Sequence, residues 1–177
     1  MNENREIKPL ALITGGHTGI GFGIAKELIQ ANFRIAIISE TAVKDKSVQC
    51  ALNKLGPLAH YYQHDLRDIS NLSNLLDQIE TNQGSIHSLI SNAGVSPLVR
   101  GDMLQINEVS YDFVMDINLK GTFFLAQETA RRILRQKIKF YRSMIFITSV
   151  SAEMLSKERA EYCCLLYTSD AADDDHC

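Results

Sequence analysis

"LALITGGHTGIGFGIAKELIQANFRIAIIS", residues 10–39, contains a complete strand–helix–strand unit and sets the reading of the whole chain. "LALIT" (10–14) is a short, unbroken apolar run of the kind found in strands buried on both faces, and "FRIAIIS" (33–39) is a second. Between them Ile20, Ile24 and Leu28 recur on one helical face, with Lys26 and Gln30 elsewhere, and Asn32 supplies a C-terminal stop. Two such strands joined through a helix lie parallel, with a right-handed crossover.

The turn into the helix, "TGGHTGIG" (14–21), spaces Gly15, Gly19 and Gly21 as GxxxGxG. Glycines there let the backbone turn sharply and bring its N–H groups against a diphosphate, whose charge the helix N-terminus stabilises. A merely flexible turn is the competing explanation, and the strand before and helix after argue against it. No Gly-Lys-Ser/Thr follows, which excludes a P-loop.

Outward from this unit the alternation continues. A weaker helix is expected over 43–55, closed by Gly56 and Pro57, then a third strand, "AHYYQHD" (59–65). Leu72, Leu75, Leu76 and Ile79 mark the next helix, with Asp68 or Ser70 placed to cap it. "IHSLISNAG" (86–94) reads as strand four running into a tight turn. A long helix is expected over roughly 108–137, with Leu119, Phe123, Ala126, Ala130 and Ile133 as its apolar stripe, and "SMIFITSVS" (143–151) reads as a buried fifth strand. These elements predict an α/β fold, a doubly wound parallel sheet of the Rossmann-like kind in the order 3-2-1-4-5. Ligands of such sheets bind beyond the carboxyl ends of the strands. There the chain places Thr14 to Gly21, Ser39 and Glu40, Asp65, Asn92 to Gly94, and Ser149.

Composition bounds the rest. At 177 residues and 45% hydrophobic content, the chain suffices for one sizeable core. The formal charge is -3, but four of the 21 acids are Asp170, Asp173, Asp174 and Asp175, so the body is nearly neutral. Arg131, Arg132, Arg135, Lys137 and Lys139 read as the solvated end of a helix, and no nucleic-acid partner is expected. Cys50, Cys163, Cys164 and Cys177 have neither disulfide nor zinc-ligand spacing, and His60, His64 and His87 have no partner spacing, so no metal is expected. Reduced thiols, the polar start "MNENREIKPL" and the lack of a long apolar run predict a soluble, cytoplasmic protein without a membrane partner.

Five signatures in order complete the pattern: GxxxGxG, Asp65 in "HDLRD", "NAG" at 92–94, Asn118 in "INLKG", and Ser149 with Tyr162 thirteen residues later. Across residues 10–163 the chain resembles the short-chain dehydrogenases/reductases. Through "NAGV", "SVSAEM" and "EYC" it is most similar to bacterial 3-ketoacyl-acyl-carrier-protein reductases. The resemblance implies an NAD(P)-dependent oxidoreductase interconverting a carbonyl and a secondary alcohol, with an acyl thioester as the favoured substrate. It implies that Gly15, His17, Thr18, Gly19, Ile20 and Gly21 form the diphosphate loop. Asp65 would accept from the adenine amine beside the Leu66 backbone, and Asn92, Ala93 and Gly94 would form the floor under the cofactor. Asn118, Ser149 and Tyr162 would be catalytic, with Ser149 holding the substrate carbonyl and Tyr162 moving the proton. Full-length relatives are expected to be homo-oligomers.

A phenol, with a reference pKa of about 10, is a poor base at neutral pH. The family corrects this with a lysine one helical turn on, where this chain has Leu166. The acid/base unit is incomplete, and a catalytically impaired chain, or a nucleotide-binding pseudoenzyme, is the expectation. Cofactor choice turns on the end of strand two, where Ser39 and Glu40 stand in place of a single ribose-binding acid. Thr18 offers no positive charge and Glu40 would repel a 2'-phosphate, which leans the choice from NADP towards NAD.

Residues 1–163 are thus expected to form an incomplete dinucleotide-binding domain, stopping before the family's strands six and seven. Residues 164–177, with their four aspartates, resemble translated adapter read-through and are expected to be a foreign, disordered tail. A naturally shortened chain is the alternative.

Overall fold

Leu10, Ala11, Leu12 and Ile13 have no solvent exposure, as a strand with a neighbour on each edge and helices on both faces requires. They form β1 (Leu10–Thr14), the middle of a five-stranded sheet in the order β3-β2-β1-β4-β5. The other strands are β2 (Arg34–Ser39), β3 (Ala59–Gln63), β4 (Ile86–Ser91) and β5 (Ser143–Phe146). All four pairings are parallel, and the expected order is the one observed. The computed structural model describes residues 8–136, 141–152 and 158–170.

Helices cover both faces. α1 (Gly19–Gln30) and α2 (Lys46–Leu55) lie over one, where Ala11, Ile13, Ile35, Ile37 and Leu55 form a core. α3 (Leu72–Gln83) lies over the other, with Leu10, Leu12, Ala36, Leu76, Ile79 and Leu125. α1 stops as expected: Asn32 adopts φ 68°, and the Phe33 N–H reaches back to the Leu28 carbonyl at 2.9 Å. Its apolar face is narrower than the spacing suggests, because Ile20 is 67% exposed at the mouth of the cleft described below. Asp68 and Ser70 do not cap α3. Asp68 precedes, and Ser70 lies within, a 3-10 turn over Ile69–Asn71, and the Ser70 hydroxyl donates to Asp68 at 2.6 Å.

The long helix differs most from its expectation. It is α4 (Glu108–Met115), a π-helical segment (Asp116–Gly121) and α5 (Thr122–Arg135). The wider turn rotates the face presented to the sheet. Leu119 is therefore 45% and Phe123 56% exposed, while Ile117, Gly121, Leu125, Thr129 and Ile133 are buried. Residue 137, the last of the expected helix, lies outside the described residues, as does Lys139 of the basic run.

β5 is shorter than expected and only partly covered. It pairs with β4 alone, and Ile145 and Phe146 remain exposed. α6 (Ala160–Asp170) corrects the expectation that order ends near Cys163, since Cys163, Leu165 and Leu166 are buried. Buried Cys163, Leu165 and Leu166, with the Ser110 hydroxyl donating to Glu161 Oε1 at 3.3 Å, hold that turn of helix against the body. Residues 171–177 of the expected tail lie outside the described residues.

Candidate functional site

The carboxyl ends of β1 to β4 open on a cleft of about 590 Å³. Its base is built from Thr14, fully buried at the end of β1. Thr14 Oγ1 accepts from the backbone N–H of Asn92 and of Ala93, each at 2.9 Å, and its carbonyl accepts from Asn92 Nδ2 at 3.0 Å. The glycine turn after β1 and the Asn-Ala-Gly turn after β4 are thereby fixed to one another. No side chain fits between them, because a Cβ on Gly21 would lie 2.5 Å from Asn92 Nδ2 and 2.6 Å from the Gly15 carbonyl oxygen. Gly15 and Gly19 take φ of 65° and 54°, in the left-handed region that favours glycine.

Thr18 is the N-cap of α1 but makes no side-chain cap, and the first backbone bond of the helix is Phe22 N–H to Thr18 carbonyl at 3.0 Å. The amides of Gly19, Ile20 and Gly21 consequently have no intrahelical partner. His17 Nδ1 is buried without a hydrogen-bond partner in the same loop. Burial holds this imidazole's pKa below the ordinary value, with Asp45 opposing. Side-chain-free backbone, open amides and an orphaned ring nitrogen around one cleft fit a dinucleotide's diphosphate, and these residues can hold one.

The far wall is the end of β2. Tyr61 donates its hydroxyl to the Thr41 carbonyl at 2.6 Å, with the Ser39 carbonyl at 3.2 Å, and its ring meets His17 edge-on at 6.0 Å between centroids. Ser39 and Glu40 line the cleft between these points, Glu40 exposed. Asp65 and Leu66, just past β3, line it as well. Asp65 is gripped by Arg67, whose hydrogen bonds hold its carboxyl below the usual range.

A second cleft of about 280 Å³ adjoins the first, and Ile20, Asn92, Ala93 and Gly94 line both. Asn118, Ser149 and Tyr162 line this second cleft together. Asn118 sits in the π-helical segment, where its amide pairs with both polar groups of Val95. Ser149 Oγ accepts from the Ser151 N–H at 3.2 Å, leaving its own proton free to donate. The Arg159 guanidinium lies 5.7 Å from the Tyr162 ring centroid, outside the cleft lining. Leu166 is in the lining, 8% exposed, where the resemblance called for a lysine.

Of the sixteen candidate site residues singled out from sequence, all but Gly21 line these two clefts, and Gly21, buried behind them, supplies the close approach. Sequence reasoning placed Thr14 at the ligand end of the sheet without seeing that it ties the two turns together, and gave no role to Tyr61 or Arg67. Thr14 carried a signal, a hydroxyl ending an apolar strand; the other two act through contacts that spacing does not reveal.

The family model for short chain dehydrogenases matches residues 9–164. The chain belongs to this family. It is 32% identical over 164 residues to a sepiapterin reductase of Chlorobaculum tepidum, covering 89% of this chain and 65% of that protein. It is 29% identical to the 3-oxoacyl-[acyl-carrier-protein] reductase MabA of Mycobacterium bovis, over 85% of this chain and 55% of the relative. A 3-oxoacyl-[acyl-carrier protein] reductase from Brucella melitensis, solved in complex with NAD, superposes with a TM-score of 0.85 at 34% identity, over 93% of this chain and 65% of that one. The chain thus spans about half to two thirds of the length of these relatives. Among the described residues no cluster of His, Cys, Asp and Glu is placed to hold a metal, and no helix is long and apolar enough to cross a membrane.

Proposed function

We propose that this chain carries the nucleotide site, and part of the catalytic site, of an NAD(P)-dependent reductase that interconverts a carbonyl and a secondary alcohol. The observation that carries the reading is the junction of the two clefts. The glycine cradle and the group of Asn118, Ser149 and Tyr162 share one wall, Ile20 with Asn92 to Gly94. The dinucleotide, when bound, supplies or accepts the hydride. Gly15 to Gly21 hold its diphosphate, Ser39 and Glu40 meet the adenosine ribose, and Asp65 beside Leu66 receives the base. Ser149 donates its free proton to the substrate carbonyl oxygen, and Tyr162 delivers the proton there or takes it back. Asn118 shapes the floor through Val95.

NAD is favoured over NADP, because Glu40 and the uncharged Thr18 are the wrong chemistry for a 2'-phosphate. A 3-ketoacyl thioester is the favoured substrate class, supported by the motifs "NAGV" and "SVSAEM" and by the names of the Mycobacterium bovis and Brucella melitensis relatives, though not by that of the sepiapterin reductase. Exposed Leu119, Phe123 and Phe124 support homo-oligomers of the complete protein.

A second reading, a nucleotide-binding protein without catalysis, is favoured by Leu166. Among the described residues the lining of the second cleft holds no lysine or arginine, and the Arg159 guanidinium lies against the Tyr162 ring outside that lining, so the charge that the family places one helical turn beyond the phenol is not supplied from position 166. Residues 164–177 are read as foreign to the family, on this leucine and on a family match that stops at residue 164; resequencing the locus tests that origin. The functional test is calorimetry of the chain with NAD and NADP, followed by an acetoacetyl thioester assay. Binding with little turnover is expected; absence of binding to either dinucleotide overturns the proposal.

A further inference from the structure

We propose that Arg67 is a positioning residue for base recognition: its guanidinium fork holds the Asp65 carboxylate in one orientation, so that the remaining lone pair meets an exocyclic amine on the bound base. The inference rests on the dinucleotide reading of the cleft.

Asp65 Oδ1 accepts from the Arg67 backbone N–H at 2.9 Å and from Nε at 3.1 Å. Oδ2 accepts from Nε at 2.9 Å and from Nη2 at 2.6 Å. The Nε proton is shared between the two oxygens, so Oδ2 takes two protons while Oδ1 takes the backbone proton and only the longer branch of the shared one, which leaves Oδ1 the more open acceptor position. The fork also fixes the carboxylate plane, as bidentate pairs do.

The guanidinium is itself held. Its carbon lies 5.8 Å from the ring centroid of Phe113 on α4, and Glu40 and Asp116 add to the attraction of Asp65 for its charge. An ion pair this exposed contributes little to stability, so fold stability alone gives the arrangement no purpose. Asp65 lines the 590 Å³ cleft whereas Arg67 does not, so the arginine acts through the aspartate.

Two effects oppose each other. The positive charge weakens the carboxylate as an acceptor, and the fork removes the side-chain freedom that binding would otherwise have to freeze. Immobilising one side chain corresponds to roughly three- to tenfold in affinity, and the neutral amine of a base gains less than that from a bare charge at a half-exposed site.

The test compares NAD with nicotinamide hypoxanthine dinucleotide, which has an oxo group in place of the amine. Binding of both is measured by calorimetry for the unmodified chain and for Arg67→Met, Arg67→Lys, Asp65→Asn and the Arg67→Met/Asp65→Asn pair, with circular dichroism to establish folding. The unmodified chain should prefer NAD. Arg67→Met should lower that preference by about three- to tenfold, and Arg67→Lys, which lacks the fork, should recover only part of it. Arg67→Met should have no further effect on the preference once Asp65 is asparagine. An unchanged or increased preference in Arg67→Met, or an equal loss for both dinucleotides, overturns the inference while leaving the dinucleotide reading intact. No binding by the unmodified chain overturns both. If Arg67→Met does not fold, Arg67→Lys decides alone: full retention of the preference overturns the inference.

Discussion

Asn118 holds Val95 by both polar groups of its backbone: Oδ1 accepts from the Val95 N–H and Nδ2 donates to the Val95 carbonyl, each at 2.8 Å. The pairing mimics a strand ladder between a helix and the segment that follows the Asn-Ala-Gly floor of the cleft. It is reached from the π-helical segment Asp116–Gly121. The segment also packs so closely that a Cβ on Gly121 would lie 2.5 Å from the Leu66 carbonyl oxygen.

Removing the amide should therefore loosen the floor. Asn118→Ala leaves both Val95 groups without their partner, and Asn118→Asp restores only the acceptor. Urea denaturation should show a loss of about 1–3 kcal/mol for the alanine variant, the range expected when partly buried polar groups lose their bonds. Equal stability of the alanine variant and the unmodified chain would contradict the bracket.

Two glycines two residues apart in α1 should respond in opposite ways. Gly23 has nothing within 4 Å of an added Cβ, so Gly23→Ala should raise stability by about 0.5–1 kcal/mol through helix propensity. Gly21→Ala drives a methyl group into Asn92 Nδ2 and the Gly15 carbonyl. The turn must open, and dinucleotide affinity should fall by at least about tenfold, as for a loss of roughly 1.4 kcal/mol. Thermal melts of both variants and calorimetry with NAD read the contrast; a Gly21→Ala chain that binds normally would show that the cradle is not where the diphosphate sits.

The sheet was legible because β1 and β2 are nearly continuous apolar runs, the later strands are short β-rich segments, and the connections carry a helical period, so handedness leaves few orders to choose from. Asn32 and Gly56, which end α1 and α2, were legible in the same local sense, whereas the cap at Asp45 was not read. The stripe through Leu119 and Phe123 misled because a single wide turn rotates everything after it, and that turn is set by contacts of Asn118 and Gly121 with distant backbone. In the site, glycines and small residues announced themselves at strand ends. Tyr61 and Arg67 did not, since one looks like a strand aromatic and the other like a surface charge until the Thr41 carbonyl and the Asp65 carboxylate are seen beside them.

His87 predicts a pH dependence. It occupies the irregularity where β1 and β4 slip register, and its Nδ1 accepts from the Leu10 N–H at 3.1 Å. Burial, then the charges of Arg34 and Arg142, hold its pKa below 6.5, against an opposing hydrogen bond with the Ser85 backbone. The unfolded chain therefore takes up a proton at higher pH than the folded one. Stability should fall as pH drops from about 6.5 to the depressed folded value and level off below it, by about 1.4 kcal/mol per unit of depression. His17 and His64, lowered chiefly by burial, add with the same sign. In His87→Asn, whose carbonyl can still accept from Leu10, the drop in urea midpoint between pH 7.5 and 5.5 should shrink. A midpoint that rises on acidification would be the wrong sign.

Leu166 gives the sharpest functional prediction. It lines the second cleft with Tyr162, one helical turn away, and is buried. Leu166→Lys brings an ammonium group to the phenol, at the expense of moving a charge into a site built for a leucine. Stability should fall by about 1–3 kcal/mol, as for an apolar core position given a polar group. Two changes should accompany that loss if Tyr162 is the proton donor: ultraviolet titration should detect a tyrosine ionising at lower pH than in the unmodified chain, and dinucleotide-dependent turnover of an acetoacetyl thioester should rise above background. Both should vanish in Leu166→Lys/Tyr162→Phe. A tyrosine titration unaltered by the lysine, in a chain that still folds, would place the phenol out of reach of position 166 and remove the physical basis for calling the leucine a lesion.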